Sequence, residues 1–488
     1  MFRLYTHLLL GLLLFVQTQL TATPKIAVVG AGLAGLTTAY RLEQAGLEVQ
    51  VYEARTRVGG RVLSASINGH IVELGGQNIL DGGEAPHFLA LLEEFQLPTT
   101  TQSVLYSPLY FDGTSYIAPF SLLTKYSWSK DELLHQLNIA AEGASNLHVV
   151  LEKLFRDEPR LIAFFSSTLG GYEGARPETL SLKTLPTLYH MILGGISSVH
   201  PHHKMNEEAP SVLVQPTPDP SPIEFQSIEG GNSLLPLSLS KALKNPIRYG
   251  SALTSVRKLD SSTLLAFSDG HQAEADIVIF AIPNKLLGNI DFMETLVSEK
   301  WIKDIQSLSI GCNAKLLVPA KRNLINMLQI TNDRMGALSF GSSSILTLYY
   351  HGTAAHLGKK QVPDTAQLDF DAVTGIYPEL GTWEEPAPAR DALFQEYDGP
   401  VFHSWPDDPY AKGSYRYFGT SDPKEASLVI QYYGVPVSVL FHPIDDSLFF
   451  AGEHTTLLID AIGTMEAAVE SGDRVAEMVL RAVDNTLK

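Results

Sequence analysis

Four groups of residues in this 488-residue chain have types and spacings that suggest chemistry. The first is Gly30-Ala-Gly32-Leu-Ala34-Gly35, a G-x-G-x-x-G run with an acid, Glu53, further on. Such glycines allow a tight turn and close approach of the backbone to a pyrophosphate, whose charge rests on a helix N-terminus. The acid can accept hydrogen bonds from ribose hydroxyls. The second is Lys315, a lone charge inside the apolar stretch Ser309–Val318, which is costly unless a polar partner waits for it. The third is the aromatic segment Phe402–Tyr415, with Trp405 and Tyr415 near its ends, and the fourth is Gly452-Glu453 inside Phe449–Thr456. His200-Pro-His-His203 has metal-ligand residue types but no carboxylate or cysteine beside it, and reads as a solvated loop with no metal.

These groups need elements to position them. Lys25–Val29 has the pattern of a buried parallel strand, and a helix through Gln44 stops at Gly46. Glu48–Tyr52 alternates as a strand and ends on Glu53, which completes a dinucleotide-binding unit. That unit alone does not separate NAD from FAD. A second glycine turn, Glu229–Asn232, precedes a helix to Leu243; Ile247–Leu259 and Thr263–Phe267 follow, then the turn Ser268–Gly270. Ala275–Pro283 is a buried strand closed by proline. Helical periodicity marks segments around Leu89–Phe95, Leu133–Leu154 and Leu182–Leu193, and a helix opening at Gly463-Thr464-Met465. The connector Pro210–Pro222 carries five prolines and reads as extended.

The run Glu53-Ala54-Arg55-Thr-Arg57-Val-Gly-Gly60-Arg61 resembles the extended fingerprint of the flavin-containing amine oxidases, the family of monoamine oxidases, polyamine oxidases and flavin-dependent histone demethylases. The resemblance covers almost all of the chain after residue 22 and implies an α/β fold. In that fold a Rossmann-like FAD-binding domain of the glutathione-reductase type (residues 24–83, 225–290 and 401–488) interleaves with an α+β substrate-binding domain (84–224 and 291–400). It implies that Gly60, Arg55 and Arg61 lie along the ribityl and diphosphate of FAD, the arginines adding positive charge. Leu74-Gly-Gly76-Gln77-Asn78 resembles the next flavin-contacting turn, and Leu253 stands where an adenosine-contacting residue would be. By the same resemblance Lys315 holds a water at flavin N5 and Trp405 packs near the isoalloxazine. Tyr415 forms one wall of an aromatic cage that suits a cation. Gly452 and Glu453 fall at the ribityl and pyrophosphate, and the helix start at Thr464 and Met465 faces the flavin N1–C2=O edge. Two departures matter. Ser414 replaces the cysteine that tethers FAD in monoamine oxidases, which implies non-covalent FAD. Thr464 replaces the second cage tyrosine, which widens the pocket.

The implied reaction oxidises a primary or secondary amine to an imine by hydride transfer to flavin N5. Dioxygen becomes hydrogen peroxide and the imine is hydrolysed to a carbonyl. Only the unprotonated amine loses hydride readily, so kcat/KM should rise with pH. A net charge of −18 favours polyamine-like or other cationic amines and disfavours nucleic acid. No arginine follows the Gly-Gly turn to bind a carboxylate, and Asp81 would repel one, which argues against L-amino acids. Alternatives from the same scaffold are a desaturase or isomerase of a hydrophobic substrate, and a flavin-binding protein without amine turnover. One cysteine, Cys312, excludes an intrachain disulfide and cysteine-based metal clusters. Residues 1–22 have the order of a secretory signal: Arg3, an apolar run from Leu8 to Val16, then small residues. The apolar run is short of the ~20 residues that span a bilayer. The expectation is export, periplasmic or secreted, with no stable membrane insertion once the signal is removed.

Overall fold

The computed structural model describes residues 23–486 apart from 81–82, 105–107, 200–222, 294–296, 322–323, 325–328, 340–343 and 357–361. The signal segment, Asp81, the histidine loop and the proline-rich connector therefore lie outside the described residues.

The apolar run after Lys25 forms the strand Ile26–Val29, buried at every position. It is the second strand of a four-stranded sheet ordered Val49–Tyr52, Ile26–Val29, Ile277–Phe280, Leu448–Phe450. All pairings are parallel, with Val29 opposite both Tyr52 and Phe280, and Phe280 opposite Phe450. Strands buried on both faces need covering by helices, and their continuous apolar sequence reflects it. Helix Leu33–Gln44 covers one face together with helix Met465–Thr486. These two helices approach closely at Gly472, whose carbonyl accepts from Thr38 Oγ1 at 3.2 Å. A Cβ on Gly472 would stand 2.7 Å from the Ala34 carbonyl. A dinucleotide-binding sheet is thus assembled from segments near residues 26, 49, 277 and 448, which is the interleaved α/β arrangement expected.

A smaller sheet, Gln272–Ala275, Thr263–Phe267, Leu253–Lys258 and Asp291–Met293, flanks it. The largest sheet has eight strands, ordered Ala387–Pro388, Val401–Ser404, Asn313–Pro319, Ile345–His351, Met335–Ser339, Gln329–Thr331, Pro108–Phe111, Tyr116–Ile117. Beside it stand helices Lys130–Ala141, Leu147–Leu154, Pro159–Glu173 and Leu185–Val199, around their own core of Leu147, Phe155, Phe164, Phe165 and Tyr189.

Several expectations change. The segment Leu133–Leu154 is two helices: Gly143 takes φ +67°, and Asn146 caps the second by accepting from Val149 N at 3.1 Å. Helix Pro159–Glu173 has no counterpart in the expectations; it starts on proline and ends at Gly174, φ +70°. At the expected divisions near 290 and 401, Asp291–Met293 pairs with Leu253–Lys258, and Val401–Ser404 pairs with Asn313–Pro319 in the large sheet. The sheets therefore trade strands a few residues beyond both positions.

Candidate active site

The strand Ile26–Val29 delivers the glycine turn to the C-terminal edge of the parallel sheet, where α/β proteins bind ligands. Gly30 has φ +110°, and a Cβ there would meet the Ala281 carbonyl oxygen at 2.4 Å. A Cβ on Gly35 would meet the Gly30 carbonyl oxygen at 2.0 Å. Gly35 therefore serves turn–helix packing, and unlike the other expected cofactor residues it does not line the cavity. Gly32 differs: its Cβ would meet only the Gly60 Cα, at 4.0 Å. No protein atom demands glycine at 32, so the space above it is a cradle that a side chain would fill. The helix that follows has no side-chain cap, and the first-turn N–H groups of Ala34 and Gly35 have no acceptor among the described residues. A phosphate suits that end. Gly32→Val should abolish flavin uptake at little cost in melting temperature, whereas Gly35→Ala should lower the melting temperature. Flavin content and thermal unfolding measured on both variants check the distinction.

The cavity above this turn encloses about 1700 Å³. Drug-sized ligands fill ~300–1,000 Å³, so it has room for a dinucleotide and a second molecule. Glu53 is buried beside the turn and its carboxylate accepts from Ala31 N at 2.7 Å and Arg55 N at 2.8 Å, which fixes it for a ribose. Ala54, Gly60, Gly76, Leu253 and Met465 also line the cavity.

The two arginines behave differently from the expectation. Arg55 is buried and paired with Asp408 at 2.5 Å and Asp391 at 3.2 Å, so its charge is largely spent within the protein. Arg61 uses Nη1 for the Ser414 carbonyl at 2.7 Å and Glu453 at 2.9 Å. Its Nε and Nη2 have no partner among the described residues, and Arg61 lines the cavity, so this guanidinium keeps donors that Arg55 has committed within the fold. Glu453, next to Gly452 at φ +141°, thus orients Arg61.

Lys315 sits on the interior strand Asn313–Pro319, paired on both sides, and is 5% exposed. The partner its burial demanded is the Gly-Gly turn. Nζ donates to the Glu73 carbonyl at 2.9 Å, the Gly75 carbonyl at 2.8 Å and Gln77 Oε1 at 2.9 Å. These contacts use all three ammonium hydrogens, so the expected N5 water would have to replace one, and Gln77 is the side-chain acceptor of the three. Asn78 lines the cavity, but its Oδ1 serves the fold, accepting from Gln226 N at 2.9 Å and Leu80 N at 3.2 Å.

Trp405 is buried and donates from Nε1 to the Leu74 carbonyl at 3.0 Å, which ties the aromatic segment to the same turn. Ser414 is buried with Oγ donating to Asn313 Oδ1 at 2.6 Å. Tyr415 OH donates to the Tyr172 carbonyl at 2.7 Å. Thr464 is the N-cap of the C-terminal helix, its Oγ1 accepting from Ala467 N at 3.2 Å, so its hydroxyl has a structural duty beside the cavity.

Among the cavity-lining residues that carry no sequence signal, three stand out by their chemistry. Tyr349, on strand Ile345–His351, places its OH 3.4 Å from Tyr415 OH and its ring 5.7 Å from Lys315 Nζ. It supplies an aromatic face that Thr464 does not. Glu173, the last residue of helix Pro159–Glu173, lines the cavity and is 9% exposed. Burial pushes its carboxyl up to about 7, opposed by a hydrogen bond with Thr187, and no cation pairs with it among the described residues. Gln329 lines the cavity with a buried Oε1 that finds no hydrogen-bond partner among the described residues. No sequence motif carries these three; only the large sheet and its helix bring them to one cavity with Lys315. Among the described residues no cluster of His, Cys, Asp or Glu could hold a metal ion, and no helix is long and apolar enough to cross a membrane.

Comparison with known proteins agrees with this geometry. The chain is 26% identical over 486 residues to a lysine-specific histone demethylase 1 homologue of Arabidopsis thaliana, covering 94% of this chain and 52% of that protein. The chain thus spans about half the length of that relative. A putrescine oxidase of Kocuria rosea is 41% identical over 105 residues, covering 21% of this chain and 20% of that protein. A solved structure of putrescine oxidase bound to putrescine superimposes with TM-score 0.67 at 16% identity, covering 94% of this chain and 99% of that one, which shows a shared fold. The family model described as flavin containing amine oxidoreductase matches residues 33–480, and the chain belongs to that family.

Proposed function

We propose that this protein is an FAD-dependent oxidase of cationic, polyamine-like amines that holds its flavin non-covalently. When bound, FAD takes a hydride equivalent from the carbon beside the amine nitrogen and passes the electrons to dioxygen, giving hydrogen peroxide, while water hydrolyses the imine. The observation that carries the reading is Glu173, a buried carboxylate without a cationic partner among the described residues, in one cavity with Lys315 and the glycine cradle. An unpaired buried anion is costly, and a cationic substrate relieves the cost by binding. Tyr415 and Tyr349 offer the same cation two aromatic faces. Tyr415 is held in place by the Tyr172 carbonyl, so the wall is formed before substrate arrives. The Gly32 cradle, the open helix end and Arg61 support FAD, and Ser414 in place of a cysteine supports its non-covalent attachment.

The test mixes the purified holoprotein without oxygen with polyamines, aromatic monoamines, L-amino acids and N-methylated lysine peptides, following flavin absorbance. Polyamines should bleach it, and air should restore colour with one peroxide formed per flavin. Acid precipitation should leave all of the flavin in the supernatant. A flavin bleached by none of the four classes refutes the activity, and flavin retained in the pellet refutes non-covalent binding.

A further inference from the structure

Lys315, Tyr349, Gly336 and Thr331 are directly opposite one another on four successive strands of the large sheet. Directly paired residues share a face, so the four form one row, and all four line the cavity. Neighbouring strands lie ~4.8 Å apart, which puts Thr331 about 14 Å from Lys315 along the row. Gly336 interrupts that row. It lies within strand Met335–Ser339, is not among the residues of positive φ, and a Cβ there would meet no heavy atom within 4 Å. No turn or packing contact demands glycine there. A strand glycine of that kind marks the close approach of another group.

The roof above the row has the same character. Helix Pro159–Glu173 lies over strands Gln329–Thr331, Met335–Ser339 and Ile345–His351, and lines the cavity at Gly171. A Cβ on Gly171 would also meet nothing within 4 Å, whereas one on the adjacent Gly170 would meet His351 Nδ1 at 2.5 Å. Gly170 is glycine for packing, while Gly171 faces space. Floor and roof are both bare where Lys315 gives way to the far end.

The far end is polar. Gln329 precedes Thr331 by two residues, so both lie on one face of their strand. Gln329 is 6% exposed and its Oε1 lacks a donor among the described residues, a costly state for a buried carbonyl. The Thr331 hydroxyl is committed to the Met335 carbonyl and Ser167, which leaves the Gln329 amide as the acceptor at this end.

We infer that the cavity contains a groove from Lys315 over Gly336 to Gln329, residues that stand roughly 16 Å apart along the sheet, and that Gln329 binds the second nitrogen of an extended amine whose first end lies at Lys315. The inference rests on the amine-oxidising reading and adds selection for length. Short diamines reach the reacting end only, and long diamines and polyamines span both ends.

The experiment compares linear α,ω-diamines from 1,4-diaminobutane to 1,12-diaminododecane, with wild-type holoprotein, Gln329→Leu and Gly336→Leu at matched flavin content. Calorimetric binding is measured beside kcat/KM. In the wild type both should improve with length and then level off. Gln329→Leu should lower the long-to-short ratio of kcat/KM about tenfold, the effect of one lost hydrogen bond to a charged donor. Gly336→Leu should lower the ratio further by filling the groove. Wild-type binding independent of length overturns the inference, as does an unaltered ratio in both variants. Length-dependent binding without flavin bleaching would support the groove and refute the oxidase reading alone.

Discussion

Lys315→Met slows flavin reduction or its reoxidation by about 10²-fold while the protein still binds FAD, the size expected when one positioned polar group is lost from a reacting centre. The separation of effects follows from where Lys315 sits. Gly75 and Gln77 hold its ammonium directly, whereas Arg61, assigned to the nucleotide, is held by Ser414 and Glu453. Methionine fills most of the volume but donates nothing. The Glu73 and Gly75 carbonyls and Gln77 Oε1 then lose a shared donor, at about 1–3 kcal/mol for each acceptor left dry. A lower melting temperature should accompany the slower rate. Glu73 adds a further consequence. Burial raises its carboxyl above the ordinary range, the Lys315 charge opposes that rise, and removing the charge favours the protonated acid. Rapid mixing with substrate without oxygen, then of reduced protein with oxygen, reads the two half-reactions separately. Rates within twofold of wild type in both would remove Lys315 from the reacting centre.

What the sequence conveyed about this site depended on the range of the interactions concerned. The glycine turn and its flanking elements were legible because they are contiguous: a strand, a turn with Gly30 and Gly32, a helix and Glu53 all fall between Lys25 and Glu53. Even there the division of labour was hidden. Gly32 and Gly35 look alike in a motif, but one faces a cavity and the other presses on the Gly30 carbonyl, a difference set by packing. Arg55 looked like a diphosphate donor because Asp408 and Asp391, which spend its charge, lie more than three hundred residues away. Lys315 posed a question that the sequence could state and not answer, since its acceptors come from the Gly75–Gln77 turn.

The substrate end was the least legible. Tyr349, Gly336 and Thr331 belong together only because three antiparallel pairings place them in line with Lys315, with Gln329 two residues along the last strand on the same face, and a slip of one residue in any strand would turn them to the other face. Glu173 ends a helix whose Gly170-Gly171 pair disguises it as a turn in sequence. Family resemblance is weakest at such positions, because the same fold carries different pockets.

Glu173→Gln should weaken catalysis and strengthen the fold, both through pH 7. Burial holds the Glu173 carboxyl up to about 7, so it is mostly neutral at pH 6 and mostly charged at pH 8. Attraction for a cationic amine therefore develops as pH rises through that value. The ratio of wild-type to variant kcat/KM for a polyamine should be small at pH 6 and reach about 10-fold to 10²-fold at pH 8, the range for a lost charge-assisted contact. The rise in kcat/KM from deprotonating the substrate is common to both proteins and cancels in the ratio. Stability runs the other way. Between the ordinary glutamate value of 4.5 and about 7 the unfolded chain has released this proton and the folded one has kept it, so folding loses stability as pH rises. The full cost above pH 7 is about 3 kcal/mol. Glutamine removes it, so the substrate-free variant should melt higher than wild type at pH 8, with the gap closing toward pH 4. A site selected only for stability would not keep an acid there, and keeping one is expected where binding benefits from the charge. Kinetic ratios from pH 6 to 9, with melting curves over the same range and down to pH 4, measure both trends. A ratio that stays flat would deny Glu173 contact with the substrate cation, and a variant that melts lower at pH 8 would mean that its carboxylate has a cationic partner in the fold.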